Sequence, residues 1–368
     1  MAATRPRVLL VGRTRYTLPL SPGLEKKFRP LRERFALRVL ATSADGRPHD
    51  DGVFRLVAKA PVLDGLLFYA LLPLRVRRLA REFRPDVIIA QSPYEAACVH
   101  LVRVGAKVVV EVHGDWRTFT RLYGSPVRRA VAPFGDRLGT WAIRRAEAVR
   151  TLSDYTSGLV RAIGVEPAAT FATYTDLEAF RGPVTPLPVQ PAALFVGVLE
   201  RYKNVDGLAR AWRIAAPQLP GVALRLVGRG TERAVVEALV ADLPGQTTWV
   251  ERLTPAEVAT ALDDATCLVL PSRSEGLGRV IIEAFLRGRP VVAMGVGGIR
   301  DLVVDGVNGF LVDSDDELAA ALVRLLRDPE LAARLGEAAT LSAGPWITDP
   351  EEFADLMEAL VSPYTGAR

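Results

Sequence analysis

Short β-branched apolar runs alternate along the whole chain with longer stretches whose apolar positions recur at helical spacing. In the first half the strand patterns fall at Arg7–Gly12, Ala36–Thr42, Val53–Val57, Asp86–Ala90, Lys107–Val112 and Ala148–Leu152. A second series follows at Ala192–Gly197, Val222–Val227, Thr247–Glu251, Thr266–Leu270, Pro290–Ala293 and Gly309–Val312. Between them Gly182–Pro191 holds four prolines, which excludes both helix and central strand. That stretch predicts a boundary, with one domain over residues 1–185 and another over 186–345. Thr254-Pro255-Ala256-Glu257 reads as a helix start, with Thr at the cap and Glu closing a capping box. Residues 346–368 carry a last helical pattern, Pro350–Val361. Strand–helix alternation predicts an α/β chain of two doubly wound parallel sheets, each covered by helices on both faces. Ligands in such sheets sit beyond the carboxyl ends of the strands, so two such domains are expected to face each other across a cleft.

The 368 residues, 49% hydrophobic and 24% charged, suit two ordinary globular cores. Two cysteines, Cys98 and Cys267, build no disulfide framework, and three histidines make a multi-histidine metal site unexpected. The longest uncharged apolar stretch, Gly65–Leu74, is far short of the ~20 residues a spanning helix needs. The N-terminus runs straight into a strand pattern with no leader-like segment, so a cytoplasmic setting is expected. Charge divides the chain. Residues 1–185 hold 30 Lys+Arg against 17 Asp+Glu, a net +13, whereas 186–368 hold 17 against 25, a net −8. The first half is therefore expected to face something anionic. Only five of the basic residues are lysines, so a lysine is more informative here than an arginine.

The densest chemistry lies in Leu270–Ala293, LPSRSEGLGRVIIEAFLRGRPVVA. An apolar strand ends at Pro271, and a polar loop leads into a helix with Glu275 before it and Glu283 within it. The amides around Gly276, Leu277 and Gly278, at a helix start, are suited to phosphate. The two carboxylates are suited to sugar or ribose hydroxyls. Together they describe a site for a nucleotide sugar; a glycine-rich turn with two solvated glutamates is the plain alternative. This segment resembles the group 1 (family 4) retaining glycosyltransferases of the GT-B fold, whose signature is two glutamates separated by seven residues with a Gly-x-Gly after the first. Met294–Val312 resembles the family's following block, with Arg300 where proline is usual.

The resemblance implies further roles. Glu275 would contact the donor sugar near the reacting centre, and Glu283 the ribose. In GVLERYKN (Gly197–Asn204), Lys203 takes the family's lysine position on the pyrophosphate. Val198 stands where the family carries arginine, and Arg201 is the nearest substitute. Gly228 and Arg229, after a strand, and Arg252 and Leu253 fall at the nucleotide end. His113 closes KVVVEVHGD beside Gly114, at a strand's carboxyl end, and matches the family's histidine near the donor sugar; Asp115 beside it is an acceptor-side candidate. Gly12 and Arg13 stand where the family often has a Gly-Gly pair and are expected on the acceptor side. The last segment, around Trp346, is expected to return to the first domain. No cofactor and no metal are implied. Asp313-Ser314-Asp315 could in isolation bind a divalent ion, but it reads as a helix cap for Glu317–Leu326.

The expected activity is transfer of a sugar from a nucleoside diphosphate donor to a sugar, lipid-linked or small-molecule acceptor, in glycolipid or surface polysaccharide synthesis. A nucleotide-sugar epimerase of the same fold and a non-catalytic binding module are the alternatives. Basic residues gather in three groups. These are Lys26, Lys27, Arg29, Arg32 and Arg34; Arg75, Arg77, Arg78, Arg81 and Arg84; and Arg121, Arg128, Arg129, Arg137, Arg144 and Arg145. They are read as solvated helix faces or as contacts to an anionic membrane on the cytoplasmic side; no nucleic-acid motif accompanies them.

Overall fold

The computed structural model describes residues 5–59, 64–102, 104–118 and 126–365. Its backbone contacts divide the chain into two α/β units. The first runs to Asp176 and takes in the chain again from Thr348; the second spans Leu177–Ile347.

The first unit is built on β1 (Arg7–Tyr16), β2 (Ala36–Ser43), β3 (His49–Asp50), β4 (Phe54–Val57), β5 (Val87–Ala90), β6 (Lys107–Val112), β7 (Ala148–Thr151) and β8 (Ala169–Thr170). Their spatial order is β3-β4-β2-β1-β5-β6-β7-β8. Every neighbouring pair is parallel except β3–β4. Side chains alternate across a strand, so β1 feeds two cores. Val8 and Leu10 join Phe28 of α1 (Pro22–Arg34) and Phe54 on one face. Leu9 and Val11 join Leu72 and Val76 of α2 (Asp64–Phe83), Val99 of α3 (Pro93–Leu101) and Ile143 of α4 (Pro126–Arg145) on the other. α5 (Asp154–Arg161) begins at Ser153 with a reciprocal capping box.

The second unit is a six-stranded, wholly parallel sheet of β9 (Ala192–Val196), β10 (Ala223–Val227), β11 (Thr247–Val250), β12 (Cys267–Leu270), β13 (Val291–Met294) and β14 (Gly309–Val312). The order is β11-β10-β9-β12-β13-β14. Its helices are α6 (Val205–Ala215), α7 (Arg233–Asp242), α8 (Pro255–Asp263), α9 (Arg279–Leu286), α10 (Ile299–Leu302), α11 (Asp315–Arg327) and α12 (Pro329–Ser342). Trp212 of α6 is fully buried in the core and its indole N–H donates to the Gln246 carbonyl at 3.2 Å. At the start of α8, Thr254 accepts from the Glu257 amide while Glu257 accepts from the Thr254 amide, the capping box the sequence encodes.

Two boundaries differ from those expected at 185/186 and 345/346. The proline-rich stretch belongs to the second unit, and the division falls ahead of it, after Asp176. The cause is Arg289, whose buried guanidinium donates to the Thr185 and Pro186 carbonyls and the Thr185 hydroxyl. Proline runs mark where regular structure stops, not which core holds them. Gly344–Trp346 likewise stays with the second unit, and the chain joins the first at Thr348. There α13 (Pro350–Val361) buries Phe353, Met357 and Val361 in the α1 core, and Arg34 pairs with Glu351 at 2.9 Å and with Asp355.

Candidate donor site

In the second sheet the strand order reverses between β9 and β12. Chain connections leave that point in opposite directions, which opens a crevice at the carboxyl ends of these two strands. The loop after β9 is a 3-10 turn, Arg201–Lys203, closed by Asn204 in the left-handed conformation at φ 54°. The loop after β12 is Pro271–Gly278, closed by Gly278 at φ 79° as the cap of α9. Arg273 ties them together. Its amide donates to the Tyr202 carbonyl at 2.7 Å, and its guanidinium donates to the Arg201 carbonyl at 2.8 Å and pairs with Asp206 at 2.8 Å.

Across this latch Lys203 forms an ion pair with Glu275 Oε1, and Ser272 Oγ donates to the same oxygen at 2.8 Å. Both charged side chains are 12% exposed. Among the described residues no hydrogen bond reaches Glu275 Oε2. A lysine ammonium has three N–H donors, and only one is committed here. The pair is therefore held in place with acceptor and donor capacity left over at the crevice.

Glycines set the backbone around it. Gly298 donates its amide to the Glu275 carbonyl at 3.0 Å, and a Cβ on Gly298 would stand 2.0 Å from the Gly276 carbonyl oxygen. The loop after β13 thus lies directly against the loop that carries Glu275. Gly228, at φ 154°, brings the loop after β10 equally close to Gly197.

Glu283 stands on α9, half-buried, and burial raises its carboxyl above the ordinary value against the opposing charge of Arg279. Leu277 is buried. Arg201, Arg229 and Arg252 are exposed, and Leu253 is half-buried. Arg229 follows β10 and Arg252 follows β11, so both lie at the carboxyl ends of their strands, whereas Glu283 lies within α9. The direct contact is between Lys203 and Glu275. Val198, in the position where arginine was expected, is 44% exposed.

Asp313 pairs with Arg300 at 3.3 Å, Ser314 caps α11, and Asp315 pairs with Arg210 at 2.6 Å, all beyond the edge strand β14. Arg300 also donates to the Gly295 carbonyl at 2.5 Å. Among the described residues no group of three or more His, Cys, Asp or Glu is placed to hold a metal ion.

In the first unit the reversal lies between β1 and β5. Arg13 stands there within β1, where the pairing register shifts, its guanidinium on Asp64 at 3.0 Å and its amide on Glu95 Oε1 at 3.2 Å. Gly12 lies against Gln91, which fills the space a Cβ would need. His113 stands exposed at the end of β6, with Nε2 3.2 Å from Glu111 Oε2. Asp115 accepts from the amide and guanidinium of Arg117, both at 3.0 Å.

The sequence reading missed Arg273, Ser272, Glu95 and the buried pair Glu111–Arg150. A charge inside an apolar strand (VVVEV, AVRT) was the signal for the last; Arg273 had none in an arginine-rich chain.

Two family models match the chain. One describes glycosyl transferases group 1 and covers residues 183–342; the other describes a glycosyl transferase 4-like domain and covers 15–174. The chain belongs to the group 1 glycosyltransferases. Among curated members it is 32% identical over 220 residues to a D-inositol 3-phosphate glycosyltransferase of Nocardia farcinica. That match covers 55% of this chain and spans about half, 49%, of the relative. Two solved structures share the fold of this chain over nearly its whole length. Sucrose-phosphate synthase of Thermosynechococcus elongatus matches with a TM-score of 0.78 at 20% identity, covering 98% of this chain and 99% of that one. HepE of Anabaena, in complex with UDP and glucose, matches with a TM-score of 0.70 at 20% identity, covering 97% and 100%. The two parallel-sheet units are accordingly of GT-B type.

Proposed function

We propose that the protein transfers a sugar, with retention, from a nucleoside diphosphate sugar to an acceptor hydroxyl in glycolipid or surface polysaccharide synthesis. The observation that carries this reading is the Lys203–Glu275 pair at the β9/β12 reversal, held by Arg273 and retaining unused donors and an unused carboxylate oxygen.

The second unit binds the donor. Lys203, with Arg201 beside it, and the amides around Gly276, Leu277 and Gly278 stabilise the negative charge that develops on the departing diphosphate. Glu275 bonds the sugar and Glu283 the ribose, while Gly228, Arg229, Arg252 and Leu253 serve the nucleotide end. In the first unit His113 acts on the reacting sugar, and Gly12, Arg13 and Asp115 receive the acceptor. A lysine and a helix start on the diphosphate do the work a metal would otherwise do, so EDTA is expected to leave the rate unchanged.

The fold neighbour solved with UDP makes UDP the first probe. Thermal melts of the full chain with UDP, GDP and ADP are expected to show one nucleotide raising the Tm, since a ligand bound only by the folded state stabilises it. Sugar derivatives of that nucleotide are then offered with and without acceptors. Nucleotide release that requires an acceptor supports transfer. A changed sugar without acceptor would mean an epimerase, and binding without turnover a binding module.

The acceptor is proposed to be lipid-linked, at the inner face of a membrane. Along α2, Leu66, Leu67, Leu71 and Leu74 are exposed, Leu66 by 65%, and Arg77, Arg78 and Arg81 continue the outward face. Leucines insert and arginines meet anionic headgroups. Phe134 and Trp141 of α4 are exposed as well; Arg121, and the side chains of Arg128 and Arg129, lie outside the described residues. Among the described residues no helix is long and apolar enough to cross a membrane.

A further inference from the structure

Glu111 and Arg150 are direct cross-strand neighbours on β6 and β7, and both are buried. Two charges in a sheet interior are costly unless each is paired and hydrogen-bonded. Here they are. Arg150 Nη1 pairs with Glu111 Oε1, and Nη2 donates to the Phe171 carbonyl at 2.9 Å and to Thr173 Oγ1 at 3.2 Å. The guanidinium lies over the Phe171 ring at 4.1 Å and the Phe353 ring of α13 at 5.6 Å. Burial alone would raise the Glu111 carboxyl, but the charge of Arg150, the His113 bond and the more distant Lys27 hold it well below the usual carboxylate range.

An ionised carboxylate can only accept hydrogen bonds. The nitrogen of His113 that meets Glu111 Oε2 must therefore carry the proton. We propose that Glu111, anchored by Arg150, is a positioning residue that locks His113 as the Nε2–H tautomer, leaving unprotonated Nδ1 as the ring nitrogen available to a substrate hydroxyl. Among the described residues nothing bonds Nδ1. The substrate end of this inference rests on the transferase reading above; the tautomer does not.

The chain has only three histidines, His49, His100 and His113, so 15N-histidine spectra of the full-length protein are readily assigned with His49→Asn and His100→Asn variants. In its neutral form, wild-type His113 is expected to show a protonated Nε2 and a bare Nδ1. In Glu111→Gln the side-chain carbonyl still serves Arg150, but the NH2 group faces His113 and can only donate. The proton then moves to Nδ1. With the active donor and acceptor pair, kcat should fall by about tenfold or more while KM for the donor changes little. A wild-type His113 protonated on Nδ1 overturns the proposal, and so does a tautomer or a kcat that Glu111→Gln leaves unchanged. Should that variant not fold, the wild-type spectrum decides alone. An inactive wild type with the expected spectrum sinks the transferase reading and leaves the tautomer standing.

Discussion

The two sheets reverse strand order in the same way, yet they treat charge at the reversal differently. Between β1 and β5, Glu95 is 3% exposed and accepts from the Arg13 amide, the Tyr69 hydroxyl and the Ser92 hydroxyl. Its capacity is consumed by its own unit, and it pins the irregular stretch of β1 that carries Arg13. Between β9 and β12, Lys203 and Glu275 hold each other and little else. A buried, satisfied carboxylate fixes the backbone; a half-committed ion pair is poised for a ligand. In the proposed function that contrast falls to the second unit as donor binder and to the first as the unit that positions the reacting groups.

Substitutions at the two reversals test that contrast. Glu275→Ala should reduce transfer by about 10²–10³-fold, the scale of losing one preorganised transition-state contact, with the full chain still folded by circular dichroism. A rate within threefold of wild type would remove Glu275 from the chemistry.

Glu95→Gln addresses folding instead. Burial pushes the Glu95 carboxyl up to about 7, against its hydrogen bonds and Arg13. The folded state then holds the proton more tightly than the unfolded chain. Its contribution is complete below the unfolded value near 4.5 and is lost as pH rises through about 7. Wild type should lose about 3 kcal/mol relative to Glu95→Gln between pH 4 and pH 8, read as the difference in urea unfolding of the first unit. Parallel pH dependences in the two proteins would contradict it.

Lys203→Ala should weaken nucleoside diphosphate binding by about 2 kcal/mol, or roughly thirtyfold, the value of a charge-assisted bond. Arg201→Ala should cost less, because Arg201 is exposed and solvent screens it. Calorimetry with the best nucleotide distinguishes them, and equal losses would make Arg201 a full partner.

Most strands were legible in the sequence because each is a short apolar run bounded by turn residues, and a fully parallel sheet needs such runs. Lys203 stood out because lysine is scarce here, and Glu275 because glycines and a second glutamate surround it. What stayed hidden depends on register. Glu111 and Arg150 are visible as charges within apolar strands, but only the β6–β7 pairing sets one against the other. Arg273 looks like any other arginine until the loop after β12 is seen against the turn after β9.

The strap tied down by Arg289 has a practical corollary for anyone excising the C-terminal half. A fragment beginning at residue 186 would discard Thr185, whose carbonyl and hydroxyl both receive that guanidinium, and Val184, which packs against Gly288. It would leave Nη1 of that buried guanidinium without its carbonyl acceptor and invite aggregation on expression. A cut before Leu177 keeps the guanidinium's acceptors in the same polypeptide.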